Sequence, residues 1–278
     1  MINMLKADFY RLVRSKGIYF AILILLLFIG IDIYSVSPGS IALHIDTGTV
    51  VENELSDMTR DELQELSMGD MRNMMLNTKG YALDRDIIAC NINLYYIFIF
   101  VAAIVIAVEF SGNTVKNTLS SAISRHRCFL SKVVFVNICC LALFFLNTYV
   151  MYFANILFNN KNLASSLETI TEVTLLQLPP ILALVSILTG LAFILKKTSV
   201  FNTVAIPLII VFQLLLSLFA TFFKIKEEWL GFELQEMLVK LTSNPSDSYV
   251  WKSYLVCAVI IVAFYLAGYL SFKKTEIK

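Results

Sequence analysis

The sequence predicts an all-α integral membrane protein with six transmembrane helices plus amphipathic interfacial and coupling helices, and three observations carry that prediction. Of the 278 residues, 58% are hydrophobic and only 15% charged, far from the balance of a water-soluble domain. The apolar residues fall in runs of about 20, the length a helix needs to cross roughly 30 Å of hydrocarbon at about 1.5 Å per residue. These runs are continuous rather than alternating, which argues for helices and against barrel strands. The spans are placed at about 17–35, 92–108, 133–157, 173–195, 200–223 and 251–272, within a single transmembrane domain covering 1–278.

The distribution of charge orients them. With both termini in the cytoplasm, the inner segments hold thirteen Lys or Arg against three acids, and the outer segments hold nine against eighteen. Dense basic clusters at 6–16, 116–132, 196–197 and 273–278 satisfy the positive-inside rule without help from the acids.

Taken in order, the chain opens with an amphipathic segment. Leu5, Phe9, Leu12 and Val13 recur at helical spacing, with Lys6, Arg11, Arg14 and Lys16 on the rest of the surface, a pattern expected of a helix lying at the inner membrane interface. The first span could pass for a secretory signal, but its basic leader and apolar run are both too long. An outer segment, 36–91, opens with Ser37-Pro38-Gly39 and carries a capping box at Thr59-Arg60-Asp61-Glu62. It holds five of the nine methionines, and Met71, Met74 and Met75 are candidate contacts for a greasy substrate, because Met adapts to varied apolar partners. Packing onto the protein's own spans is the plainer reading of the same residues.

Segment 109–132 is too long for a turn and too short for a domain. Asn113 or Thr114 can cap a short helix whose apolar face is Val115, Leu119, Ala122 and Ile123, a ready docking element. Spans four and five are joined by little more than a turn at 196–199, and Pro179-Pro180 and Pro207 are expected to bend them. A second interfacial helix is expected in 224–249, with Trp229, Leu230, Leu234, Met237, Leu238 and Leu241 on one face.

Ionisable groups are nearly missing from the spans, where each would cost about 2.5–3.5 kcal/mol on insertion scales. Asp32 and Glu109 are expected at span ends within reach of water, and Glu109 is equally open to pairing with a basic residue such as Arg11 or Arg14. The mid-span polar residues, including Asn137, Asn147, Asn155, Gln177 and Gln213, read mostly as interhelical hydrogen bonds, with Asn147 and Gln213 as candidate substrate contacts. A proton- or sodium-coupled carrier would show a buried carboxylate and is disfavoured. No phosphate-binding loop and no H-E-x-x-H occurs, and five scattered cysteines suggest neither a disulfide framework nor a metal site. The Glu227-Glu228 pair, without a histidine-bearing span, reads as a solvated helix face rather than a protease dyad.

The opening LKADFYRLVRSK, the run Glu109-Phe110-Ser111-Gly112-Asn113-Thr114-Val115-Lys116 and the following ISRHRCFLSK together resemble the membrane subunit of an ABC transporter of the type-2 exporter class. In that family Glu-aromatic, then Gly, Thr, an aliphatic and a basic residue open the cytoplasmic coupling helix. The corresponding positions are Glu109, Phe110, Gly112, Thr114, Val115 and Lys116, with Asn113 set between Gly and Thr, and Leu119 and Ile123 follow on the docking face. Among subfamilies the chain is most similar to Gram-positive permeases that handle lantibiotics or bacitracin-like peptides. The resemblance implies a second permease subunit, identical or paralogous, and separate ATPase subunits that carry the ATP-Mg, so that this chain needs no cofactor and is not itself an enzyme. It implies a cell-membrane location and no nucleic-acid partner. A non-transporting scaffold or sensor is the rival from another class, and an intramembrane hydrolase a remote one.

Overall fold

The computed structural model describes residues 2–36, 90–112, 124–158, 166–208, 231–242 and 245–274. Among them every regular element is helical: α1 (Ile2–Arg14), α2 (Lys16–Val36), α3 (Leu94–Ser111), α4 (Arg125–Phe158), α5 (Leu167–Leu176), α6 (Leu178–Leu195), α7 (Thr198–Leu208), α8 (Leu234–Thr242) and α9 (Asp247–Lys273). Four of these, α3, α4, α6 and α9, are each long and apolar enough to cross a membrane, and a fifth crossing is reached when the bent pair α1–α2 is taken together. The protein is thus an all-α membrane protein. The expected fifth span, 200–223, is described only as far as α7, and the outer segment 36–91 lies almost wholly outside the described residues.

The helix ends differ from expectation where local chemistry decides them. The third span begins at Arg125 rather than Val133, so the second half of the basic insert is the first part of α4. The fourth is broken in two: α5 ends at Leu176, Gln177 forms a turn, and α6 restarts with Pro179 and Pro180 in its first turn, where a missing N–H leaves no bond unmade. Helical bonds continue on both sides of the break, from the Gln177 N–H to Val173 and from the Ile181 N–H to Gln177, so the prolines interrupt the helix only locally. Ser166 and Ser246 cap α5 and α9, their hydroxyls accepting the N–H groups of Thr169 (3.2 Å) and Tyr249 (3.4 Å).

Helix α3 is the centre of the bundle, packed on α2, α4 and α6. Its Leu94, Phe98, Val101 and Val105 are buried together with Ala21 and Leu25 of α2, Val136, Cys140 and Phe144 of α4, and Leu188 of α6. The closest crossing is α6 on α9. A Cβ added to Gly190 would lie 2.7 Å from the Phe264 carbonyl oxygen, and one on Gly268 would lie 3.1 Å from the Gly190 Cα, so the missing side chains let the two backbones touch. One face of α9, from Trp251 through Leu255, Val259, Val262 and Leu266 to Leu270, is left exposed, as suits a helix bordering lipid.

Candidate functional site

Four charged side chains from three helices meet where α3 ends and α4 begins. Asp8 and Arg11, one turn apart on α1, face Glu109 in the last turn of α3 and Lys132 near the start of α4. Arg11 donates to Glu109, Lys132 donates to Asp8, the Lys132 Nζ stands 2.7 Å from the Glu109 carboxylate, and Arg11 lies 4.0 Å from Asp8. Asp8, Glu109 and Lys132 are all at most 5% exposed. Such burial is tolerable because the four charges cancel; removing one partner from a buried pair typically costs about 3–5 kcal/mol. Burial raises the Asp8 carboxyl above its ordinary value, with Lys132 pulling it back.

The expectation that Glu109 sits within reach of water is corrected: it is buried, and Arg11 and Lys132 stand in for the solvent. Helix α1 divides its apolar residues between two surroundings. Leu5 and Leu12 turn inward with Asp8, whereas Phe9, Tyr10 and Val13 are exposed. Arg14 stays on that outer side, donating to the Tyr10 hydroxyl at 3.0 Å and lying over its ring at 5.9 Å. A bend of 65° at Ser15 separates α1 from α2.

Both stems of the segment between α3 and α4 are pinned. On the entry side Gly112 closes α3, its N–H reaching the Val108 carbonyl at 2.9 Å, and the Ser111 hydroxyl meets the Thr198 hydroxyl at 2.9 Å and accepts the Thr198 N–H at 2.8 Å. On the exit side Arg125 donates to the Lys273 carbonyl at the end of α9, 2.7 Å away. Phe110 and Phe129, one from each stem, close on Phe193 of α6 and Phe272 of α9 with ring centroids 4.7–6.4 Å apart. Asn113, Thr114, Val115, Lys116, Leu119 and Ile123 lie outside the described residues.

At the other end of the same helices a network of uncharged side chains joins them. Asn91, just before α3, donates to Gln177 (2.8 Å) and Thr148 (3.3 Å) and accepts from Asn147 (2.9 Å), while Gln177 donates to the Leu238 carbonyl of α8 (3.1 Å). Asn147 also points at the Met151 sulfur, 3.3 Å away, and is 1% exposed. Gln213, Met71, Met74 and Met75 fall outside the described residues. Glu233 caps α8, its carboxylate accepting the N–H groups of Gln235 and Glu236 at 3.0 Å each.

The sequence left Glu109 open between water and a basic residue of α1, and it did not single out Asp8, Lys132 or Asn91. Asp8 is the lone acid in a strongly basic stretch, three positions before Arg11, and that isolation was the available signal. Among the described residues no group of three or more His, Cys, Asp or Glu is placed to hold a metal ion. The arrangement ties one short helix to both stems of segment 113–123 through ion pairs.

Compared with known proteins, the chain matches the family described as multidrug efflux system permease Rv1217c, C-terminal domain, over residues 23–273. No curated protein and no solved structure matches it.

Proposed function

This chain belongs to the family of the multidrug efflux system permease C-terminal domain, and from that premise we propose that it is the membrane-spanning subunit of an ATP-driven ABC exporter. In this reading it has six spans and cytoplasmic termini, and it works with a second permease subunit. ATP-Mg is bound and hydrolysed by a separate partner subunit, since the sequence has no phosphate-binding loop of its own. The cargo is a hydrophobic or amphipathic compound, and a peptide antibiotic is the narrower form of the proposal.

The observation that supports it best is the interlock of α1 with both stems of segment 113–123. The partner ATPase docks on that segment through Val115, Leu119 and Ile123, and its closure moves the stems. Because Glu109 and Lys132 both hold α1, the motion is shared by α1, α3 and α4 rather than absorbed in a loop. The exposed Phe9, Tyr10 and Val13 beside Lys6, Arg14 and Lys16 rest α1 on the lipid surface, giving the lever a bearing. Leu119→Asp and Ile123→Asp test the dock, each placing an unpaired charge on its face. Both variants are expected to insert into the membrane yet lose co-purification with the ATPase; full partner binding and transport in both would remove the coupling role from this segment.

A further inference from the structure

Helix α3 carries one irregular turn, immediately before its charged end. The Val108 N–H reaches back five residues to the Ala103 carbonyl, so Ala103–Ala107 form a π turn; by Gly112, whose N–H returns to Val108, ordinary α spacing has resumed. A π turn holds one residue more than an α turn and has poorer backbone bonding. Nothing in its composition demands it: the five residues are Ala, Ile, Val, Ile and Ala, all buried, with no Pro, no Gly and no polar side chain.

The effect of the extra residue is on direction. With it, Glu109 points at Arg11 and Lys132, while its neighbour Val108 is exposed. If the turn closed into continuous α-helix, everything beyond it would rotate by about 100° and advance by about 1.5 Å. Val108 would then take the bearing of Glu109 among the charges. Glu109 would take the bearing of Phe110, which now faces Phe193 and Phe272. Each register therefore satisfies one demand and violates another: the π register seats the carboxylate on its cations with an imperfect backbone, and the α register repairs the backbone and unseats the carboxylate.

We propose that the π turn Ala103–Ala107 is a register switch that attaches and releases Glu109 from Arg11 and Lys132 as the exporter cycles. This rests on the reading of segment 113–123 as the ATPase dock, since Gly112 leads directly into it and a pull there acts along α3. The surroundings connect the switch to α1. The turn packs against α1, α4 and α6, and Ile104 lies against the α1–α2 corner, its Cδ1 3.2 Å from where a Cβ on Gly17 would be. Releasing Glu109 leaves Asp8 on Lys132, so α1 stays joined to α4 while α3 slides and turns. The cluster is then a clutch between α3 and the α1–α4 pair, and Lys132 is the residue that remains engaged on one side.

Two variants fix the registers separately. Deleting Val105 removes the surplus residue and leaves Glu109 on its cations without a π turn. The double variant V108E/E109V seats its carboxylate only in the α register. Both are expected to bind the ATPase subunit and support ATP hydrolysis while losing transport by about tenfold or more, because each can occupy only one state. Wild-type transport by the deletion variant would overturn the proposal and make the turn a packing accommodation. Should the deletion fail to accumulate, V108C in the intact complex reads the same motion: labelling by a membrane-permeant maleimide, above the wild-type background, is expected to fall several-fold on vanadate trapping. Unchanged labelling would equally overturn the switch. Failure of the wild-type chain to co-purify with an ATPase would instead sink the dock itself, so the two readings fail separately.

Discussion

The two ends of the helical bundle are stapled by opposite chemistry. Where α3 meets α4, four charges on three helices are held by long side chains, Arg11 and Lys132, each reaching two carboxylates. At the other end Asn91 is the hub of short amides and a hydroxyl, bonded to Asn147 and Thr148 of α4 and to Gln177, which reaches on to the Leu238 carbonyl, all within 3.4 Å. Neutral amides hold the helices in one geometry and need no counter-charge, so they suit a pivot buried in an apolar surrounding. Paired ions on long side chains carry large energies that are lost when a partner withdraws, which in the proposed mechanism suits a joint with two distinct states. In the proposed mechanism the amide end is the stiff end and the charged end the working end.

The comparison can be broken first at Lys132. Lys132→Met removes from buried Asp8 and Glu109 the cation they share, and is expected to cost about 3–5 kcal/mol, read as a large fall in the unfolding midpoint in detergent. If its midpoint matches the wild type, the cluster contributes nothing and the working end is misassigned. Between the two ends, Gly190→Val forces α6 off α9, where even a Cβ would meet the Phe264 carbonyl at 2.7 Å. Overpacking of this kind costs about 1–3 kcal/mol, and a cross-link between α6 and α9 placed away from the mutation should form more slowly.

At the stiff end, Asn91→Leu strips Gln177, Asn147 and Thr148 of a shared partner. Interhelical hydrogen bonds in membranes are worth less than ion pairs, so the expected loss is about 1–2 kcal/mol. A loss larger than that of Lys132→Met would reverse the comparison. The smallest effect is expected at Lys196, which ends α6 with φ 57° and ψ −14°, a left-handed conformation that suits glycine. Lys196→Gly should stabilise by about 0.5–1 kcal/mol and leave both ends unchanged.

Four of the six expected spans, and a fifth if the bent α1–α2 pair is one crossing, were legible in the sequence because hydrocarbon thickness and helical rise leave few alternatives for a run of apolar residues. What was not legible has a common cause. The pattern Leu5, Phe9, Leu12 and Val13 marks a helix with an apolar side, but lipid and protein accept the same residues, so periodicity could not show that Leu5 and Leu12 turn inward and Phe9 and Val13 outward. The π turn of α3 left no trace for the same reason: with apolar residues all round, one extra residue changes no pattern. Asp8 and Lys132 lie 124 positions apart, and only the fold brings them together. The break at Gln177 was half legible, since the prolines announced a disturbance and their position in the first turn of α6 fixed its form.

The most direct test of the central claim, that the charge cluster carries force from the docked ATPase into the helices, is the amount of cargo moved per ATP by Glu109→Gln in reconstituted vesicles. The substitution keeps the side chain's size and one acceptor oxygen, leaves segment 113–123 untouched, and removes the charge and the second acceptor through which Arg11 and Lys132 grip Glu109. The account predicts that the ATPase remains bound and hydrolysis continues while transport per ATP falls by about tenfold, equivalent to roughly 1.4 kcal/mol of lost coupling. Transport per ATP equal to that of the wild type would contradict it.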